Sequence, residues 1–237
     1  DFVESQGPEA AEALLAETGG KADKSRLDAI WSTMEPLADK VADTLALGNP
    51  EAAIADQTHA MELDPASADP HLNRGTAEEA LQRWDAAEAD YRWILEANAS
   101  AGEAPDASAL YNLGNVQGSR GNWAAARASF VEAADVRPGF AMARSSAALA
   151  AFQLQDLDQA EAELRRLIRR HPLFADARAG LTALLWRRGA RGEAESHWAS
   201  ASGLDPRYRQ PEWLLEIRRW PPEPVQALSD FLALSNG

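Results

Sequence analysis

Four arginines stand out among the side chains of this sequence that are equipped to act on something else. Arg165, Arg166, Arg169 and Arg170 fall within the segment ELRRLIRRHP at helical spacing, and a basic helix of this kind suits an anionic contact surface. Residues that could do covalent or acid–base chemistry are present but do not assemble. The four histidines, His59, His71, His171 and His197, stand alone, and none belongs to a His-Glu-x-x-His pair that would hold a metal. No Gly-x-x-x-x-Gly-Lys phosphate loop, dinucleotide fingerprint or Gly-x-Ser-x-Gly nucleophile elbow occurs. Gly19-Gly20-Lys21 lacks the preceding strand that a phosphate loop needs. Cysteine is absent, which removes thiol nucleophiles, disulfides and cysteine-based metal sites. Carboxylate pairs abound, but on helical segments their ordinary role is solvation. These residues describe a non-enzymatic protein with no cofactor.

Charge narrows the partner class. The formal net charge of the 237 residues is −14, and a nucleic-acid binder would show a basic face, so nucleic acid is excluded as a partner. No run of 18 apolar residues is present, so no membrane insertion is expected. The imbalance is uneven. Residues 1–117 hold 7 Lys/Arg against 23 Asp/Glu, whereas residues 118–237 hold 16 against 14. An acidic front and an arginine-bearing rear can steer a polarised partner, although an acidic surface also simply keeps a protein soluble.

The elements that must position these side chains are helices. In residues 107–140, Leu110, Leu113, Gly114 and Gln117 give a first helix one small or apolar stripe. Gly121-Asn122 breaks the run, as Gly and Asn do at turns. Trp123, Ala126, Phe130 and Ala133 form a second stripe, and Pro138 ends it because proline cannot donate the hydrogen bond that extends a helix. Gly114, Ala126 and Ala133 leave room where two helices cross, and Trp123 and Phe130 fill the gaps.

This pattern resembles the tetratricopeptide repeat, a helix pair with a period of 34 residues. The match is Leu113-Gly114, then Ala126-x-x-x-Phe130, then Pro138, while Gln117 stands where the repeat has an aromatic residue. A shift of 34 residues takes Pro138 to Pro172 and Pro206, Ala126 to Ala160 and Ala194, and Phe130 to Leu164 and Trp198. Upstream, Trp84, Ala87, Tyr91 and Ile94 repeat the second stripe after Gly75, and Val41, Ala53, Ala60 and Pro65 do so one step earlier. The expected organisation is an N-terminal helical cap over 1–33, an array of five repeats over 34–208 (34–67, 68–101, 107–140, 141–174 and 175–208), and C-terminal capping helices over 209–237. Within the cap, helices are expected over 8–17 and 23–47. The small, polar residues 99–106 are expected to form a loop. Residues 211–220 are expected to form one amphipathic helix, stopped by Pro221-Pro222, with a last short helix over 225–234.

The resemblance implies an all-α, right-handed superhelical solenoid whose first helices line a concave groove for a partner protein. Mapped onto this sequence, the groove slots hold Asp69, Leu72, Asn73 and Thr76, then Ser108, Tyr111, Asn112 and Asn115, then Met142, Ser145 and Ser146, then Asp176, Ala183 and Trp186. Asn73, Tyr111, Asn112, Asn115, Ser146 and Trp186 are the implied contact residues, because an amide both donates to and accepts from a peptide backbone. The carboxylate clamp of related co-chaperones is missing. Its slots hold Tyr111, Asn115, Ser146, Asp176 and Gly180, or one repeat earlier Leu72, Thr76, Asn112, Met142 and Ser146, and neither set contains a cation.

The tail is similar to the end of a tetratricopeptide family of plants and algae assigned to the chloroplast thylakoid lumen. The residues concerned are Trp213-Leu214, Ile217-Arg218-Arg219-Trp220-Pro221-Pro222, Leu228 and Phe231-Leu232. That resemblance implies a lumenal scaffold that contacts a photosystem or another thylakoid complex during association, assembly or maintenance. The first residues of the sequence show no charged-then-apolar leader, and the resemblance carries the expectation that transit segments are removed. A general peptide-binding adaptor in a bacterial or cytosolic compartment is the other reading.

Overall fold

The structure is a computed structural model that describes residues 49–235. The expected cap over 1–33, with its helices over 8–17 and 23–47, and the first helix of the repeat at 34–67 lie outside the described residues. Eleven α-helices are present among the described residues, with no strand. They are α1 Pro50–Leu63, α2 Asp69–Ala80, α3 Trp84–Ala101, α4 Ala107–Ser119, α5 Trp123–Val136, α6 Ala141–Gln153, α7 Leu157–Arg170, α8 Ala175–Arg187, α9 Arg191–Leu204, α10 Pro211–Glu216 and α11 Pro222–Ser235. A short 3-10 turn, Pro206–Arg209, joins α9 to α10. The chain is thus an all-α solenoid in which α2/α3, α4/α5, α6/α7 and α8/α9 are consecutive helix pairs.

Each pair is closed by one small-against-large contact. A Cβ on Gly75 would lie 2.6 Å from the Tyr91 ring, and one on Gly114 would lie 2.6 Å from the Phe130 ring. In the next pair the large residue is Leu164 and the facing residue grows to Ala148, both buried. In the last pair the corresponding positions hold Thr182 and Trp198, both buried. Glycine opposite Tyr91 and Phe130, and alanine opposite Leu164, trade size across the crossing as close packing demands, whereas the last pair is bulkier. Trp123 is half-buried rather than a core residue, because it lies over Gly118 at the open end of α4. Phe130, 2% exposed, fills the centre of that pair.

The turns repeat as well. Gln82, Gly121, Gln155 and Gly189 occupy equivalent turn positions, all with left-handed φ of 58–79°. Only glycine adopts that conformation without a steric cost, so Gln82 and Gln155 are strained where Gly121 and Gly189 are not.

Two expectations need correction. Residues 99–101 continue α3 rather than opening a loop. Alanine favours helix, and the stop comes from Gly102, which takes a left-handed φ of 72° and lets the Glu103 amide donate to the Asn98 carbonyl at 2.9 Å. The helix expected over 211–220 ends at Glu216, and residues 217–221 are irregular. Trp220 precedes Pro221, and a residue before proline is pushed out of the helical region. Arg219 adopts a left-handed φ of 55°, and the chain reverses there. Pro222 then opens α11, since proline suits a first helical turn.

Candidate functional site: the inner face and the segment that covers it

Residues at i, i+3, i+4 and i+7 share one side of a helix. On α4 that side carries Ser108, Tyr111, Asn112 and Asn115, and the equivalent sides of α2, α6 and α8 carry the slots named above. These four sides make the inner face. The structure places Tyr111, Asn115 and Ser146 together. The Tyr111 ring packs against Phe130 (5.5 Å) and Phe140 (5.1 Å). Burial pushes its hydroxyl pKa up, while the nearby Arg218 and hydrogen bonding with Ser146 and Asn115 work the other way. Asn112 lies one turn along, beside the Tyr91 hydroxyl and Thr76. Asn73 is exposed on α2. Trp186 is set apart from these, half-buried and edge-on to Phe231 of α11 at 5.7 Å.

The inner face is not bare. Residues 217–221 lie against it, and the side chains that hold them come from α2, α3, α4, α6 and α8. Asp176, at the start of α8, is the hub. Its carboxylate is 1% exposed and accepts from Arg218 (2.7 Å), Trp220 Nε1 (3.0 Å), the Tyr208 hydroxyl (2.9 Å) and the Ser145 hydroxyl (2.5 Å). Burial alone would raise its pKa, but Arg218 and the hydrogen bonds from Ser145 and Trp220 outweigh burial and hold it below the usual aspartate value. The next residue reaches the other end of the face. Arg219 donates to the Ser119 hydroxyl at 3.0 Å, lies 3.9 Å from the Glu79 carboxylate and stacks over the Trp84 ring at 5.1 Å. The Glu223 amide then donates to Gln153 Oε1 at 2.8 Å.

Glu79 is itself unusual. It is 7% exposed and accepts a 2.5 Å hydrogen bond from the Tyr91 hydroxyl. Burial raises its pKa to about 7, with Arg219 and the Tyr91 bond opposing. Asp176 thus stands in a slot that a carboxylate clamp would fill with a cation, Glu79 lies outside those slots, and the chain's own tail supplies an arginine to each. Arg218, Arg219 and Trp220 were missed as site residues because a continued helix over 211–220 would not bring them against the inner face. The Trp-Pro-Pro sequence that breaks the helix was the available signal.

The basic helix α7 is partly neutralised. Arg165 donates to Glu161 at 2.8 Å and Glu193 at 2.5 Å, and Arg166 lies 3.5 Å from Glu163. Arg169 and Arg170 are exposed. Arg166 and Arg170 line a shallow pocket with Arg144, Asp135 and His171, between α5, α6 and α7. Among the described residues no three His, Asp or Glu side chains are grouped to hold a metal ion, and no helix is long and apolar enough to cross a membrane.

Comparison with known proteins agrees with this architecture. The sequence model of the tetratricopeptide repeat matches at residues 72–139, 111–172 and 145–208. No curated protein matches in sequence. Among solved structures, PilF from Pseudomonas aeruginosa is similar, with a TM-score of 0.59 and 20% identity over 85% of this chain and 92% of that one. A MamA chain from Desulfovibrio magneticus RS-1 has a TM-score of 0.59 and 17% identity over 78% of this chain and 97% of that one. YrrB, described as a repeat protein of this kind with an unusual peptide-binding site, has a TM-score of 0.53 and 20% identity over 76% of this chain and 92% of that one.

Proposed function

Because this chain belongs to the tetratricopeptide repeat family, we propose that it is a non-enzymatic scaffold that holds a segment of a partner protein on the inner face of α2, α4, α6 and α8. The observation that carries the proposal is the placement of residues 217–221, an irregular stretch of polypeptide lying on that face and gripped by its side chains. A face that accommodates one irregular segment has the hydrogen-bonding groups and the charge to accommodate a segment of a partner. Asn73, Asn112, Asn115, Tyr111 and Ser146 supply the neutral contacts in this proposal, and Trp186 braces the tail. The repeats at 34–67, 68–101, 107–140, 141–174 and 175–208 form the array, with the stretches on either side as caps. Arg169 and Arg170, exposed on α7, are the second contact surface.

A photo-crosslinking residue at Asn112 tests the proposal against one at Ala128, exposed on α5 of the same pair. The scaffold requires a polypeptide partner captured from Asn112 and not from Ala128. Equal capture from both positions refutes binding at the inner face.

The narrower reading takes the partner to be a subunit of a photosystem or another thylakoid complex. Its support is the residue pattern of the tail, from Trp213 to Leu232. A crosslink from Asn112 to such a subunit in thylakoid extract supports it. Capture confined to proteins outside the photosynthetic membrane favours the general adaptor.

A further inference from the structure

At the edge of the inner face, Glu79, Trp84 and Ser119 form a corner from three elements, α2, α3 and α4, around the Arg219 side chain. The Glu79 carboxylate is buried and already fixed by the Tyr91 hydroxyl, so it cannot turn away to seek another partner. The Trp84 ring supplies a flat, half-buried surface, and the Ser119 hydroxyl supplies an acceptor at the rim. A carboxylate, an aromatic face and a hydroxyl acceptor are what a guanidinium recognises: charge, stacking and directed hydrogen bonds together. The group now there is Arg219, and its hold is loose. Its distance to Glu79 is 3.9 Å, against 2.7 Å for Arg218 to Asp176, and its backbone sits in the left-handed region at φ 55°.

We propose that Glu79, Trp84 and Ser119 form an arginine-reading subsite, occupied internally by Arg219 and taken over by an arginine in an extended segment of the partner. The proposal rests on the scaffold reading above and adds the chemistry of the ligand. Charge supports that ligand. The segment 49–117, which carries Glu79 and Trp84, holds thirteen Asp/Glu against three Arg, so a cationic segment is drawn to this end of the array. The packing also makes the exchange feasible. The flanking helices are docked by apolar side chains, Leu214 of α10 and Val225, Leu228 and Phe231 of α11, all buried in one cluster with α8. Arg219 can leave its corner while these remain in place and while Arg218 stays on Asp176.

The test uses the full chain and a fluorescein-labelled peptide of sequence LEIRRWPPE, which copies residues 215–223. Fluorescence anisotropy is measured for the wild-type chain and for Arg219→Ala, which empties the corner and leaves the Arg218–Asp176 pair intact. The expected result is at least tenfold tighter binding to Arg219→Ala than to wild type. A peptide with both arginines replaced by glutamine should lose binding, one with lysines should bind more weakly, and adding Trp84→Ala to the variant should reduce affinity. Circular dichroism confirms that each variant is folded. If Arg219→Ala does not fold, hydrogen exchange on wild-type chain decides, because millimolar peptide should then speed exchange of the amides around Arg219. Equal affinity of folded Arg219→Ala and wild type, indifference to the arginine-to-glutamine change, or unchanged exchange would each overturn the subsite. If the subsite fails while Asn112 still captures a partner, the scaffold reading stands. If both fail, both are wrong.

Discussion

Asp176→Ala removes the acceptor on which the tail converges, and its cost can be worked from the contacts. The carboxylate is 1% exposed and the Arg218 side chain 10% exposed, so the ion pair between them, at 2.7 Å, is shielded from water. Deleting one member of a buried pair costs about 3–5 kcal/mol, because the surviving charge stays desolvated. Ser145, Tyr208 and Trp220 are 0%, 1% and 3% exposed and also lose the acceptor they share. A buried donor left without its acceptor costs about 1–3 kcal/mol, but the four losses occur in one cavity that water can enter, so they do not add. The expected total is about 4–6 kcal/mol, comparable to the whole stability of a marginal domain. Replacing the pair with apolar groups, Asp176→Leu with Arg218→Met, should recover most of the loss, since a buried ion pair stabilises little relative to well-packed apolar residues. Urea unfolding followed by circular dichroism and tryptophan fluorescence measures both. An Asp176→Ala cost under about 1 kcal/mol would refute the reasoning, because the hub would then be solvated. Acid gives an independent reading. The folded pKa of Asp176 lies below the usual aspartate value, so its contribution is present above that value and is lost as pH falls through the folded pKa.

Glu79 should behave in the opposite sense. Its folded pKa of about 7 stands above the ordinary 4.5, so between those values the folded state holds a proton that the unfolded state releases, and stability falls as pH rises through that window by about 3 kcal/mol. Glu79→Gln should flatten this dependence, and urea midpoints from pH 4.5 to 8 check it. Gly114→Ala should destabilise by about 1–3 kcal/mol despite alanine's better helix propensity, since its Cβ would lie 2.6 Å from the Phe130 ring; a thermal melt that rises instead contradicts the assigned crossing. Gln155→Gly should stabilise by about 0.5–1 kcal/mol by relieving a left-handed φ of 65°, whereas the same change at the right-handed neighbour Leu154 should not.

The helix pairs were legible because their signal is local and repeated. Gly114 with Phe130 and Ala126 with Ala133 specify one crossing, and the 34-residue period carries that crossing to Ala148 with Leu164 and Thr182 with Trp198. The turn glycine at 121 was equally plain, but the same turn at Gln82 and Gln155 was not, since the array imposes the backbone there against the residue's preference. The groove slots Tyr111, Asn115 and Ser146 could be placed by period, and the structure brings them together. What the sequence hid was the path of residues 217–221. Arg218 and Arg219 look like surface cations until their acceptors are known, and those acceptors, Asp176 and Glu79, lie 42 and 140 residues away. Asp176 looked like one more groove slot because its burial is created by the tail that covers it.

One measurement bears most directly on whether the inner face holds extended polypeptide. Ser119 is exposed on α4 and accepts from Arg219 at 3.0 Å, so a photo-crosslinking residue placed there probes the face from within. Irradiation of the isolated chain should join position 119 to residues 217–221, and with a bound partner the crosslink should move to a segment of that partner. Crosslinks that avoid the tail in the isolated chain, or that stay on the tail when a partner is bound, would contradict the account.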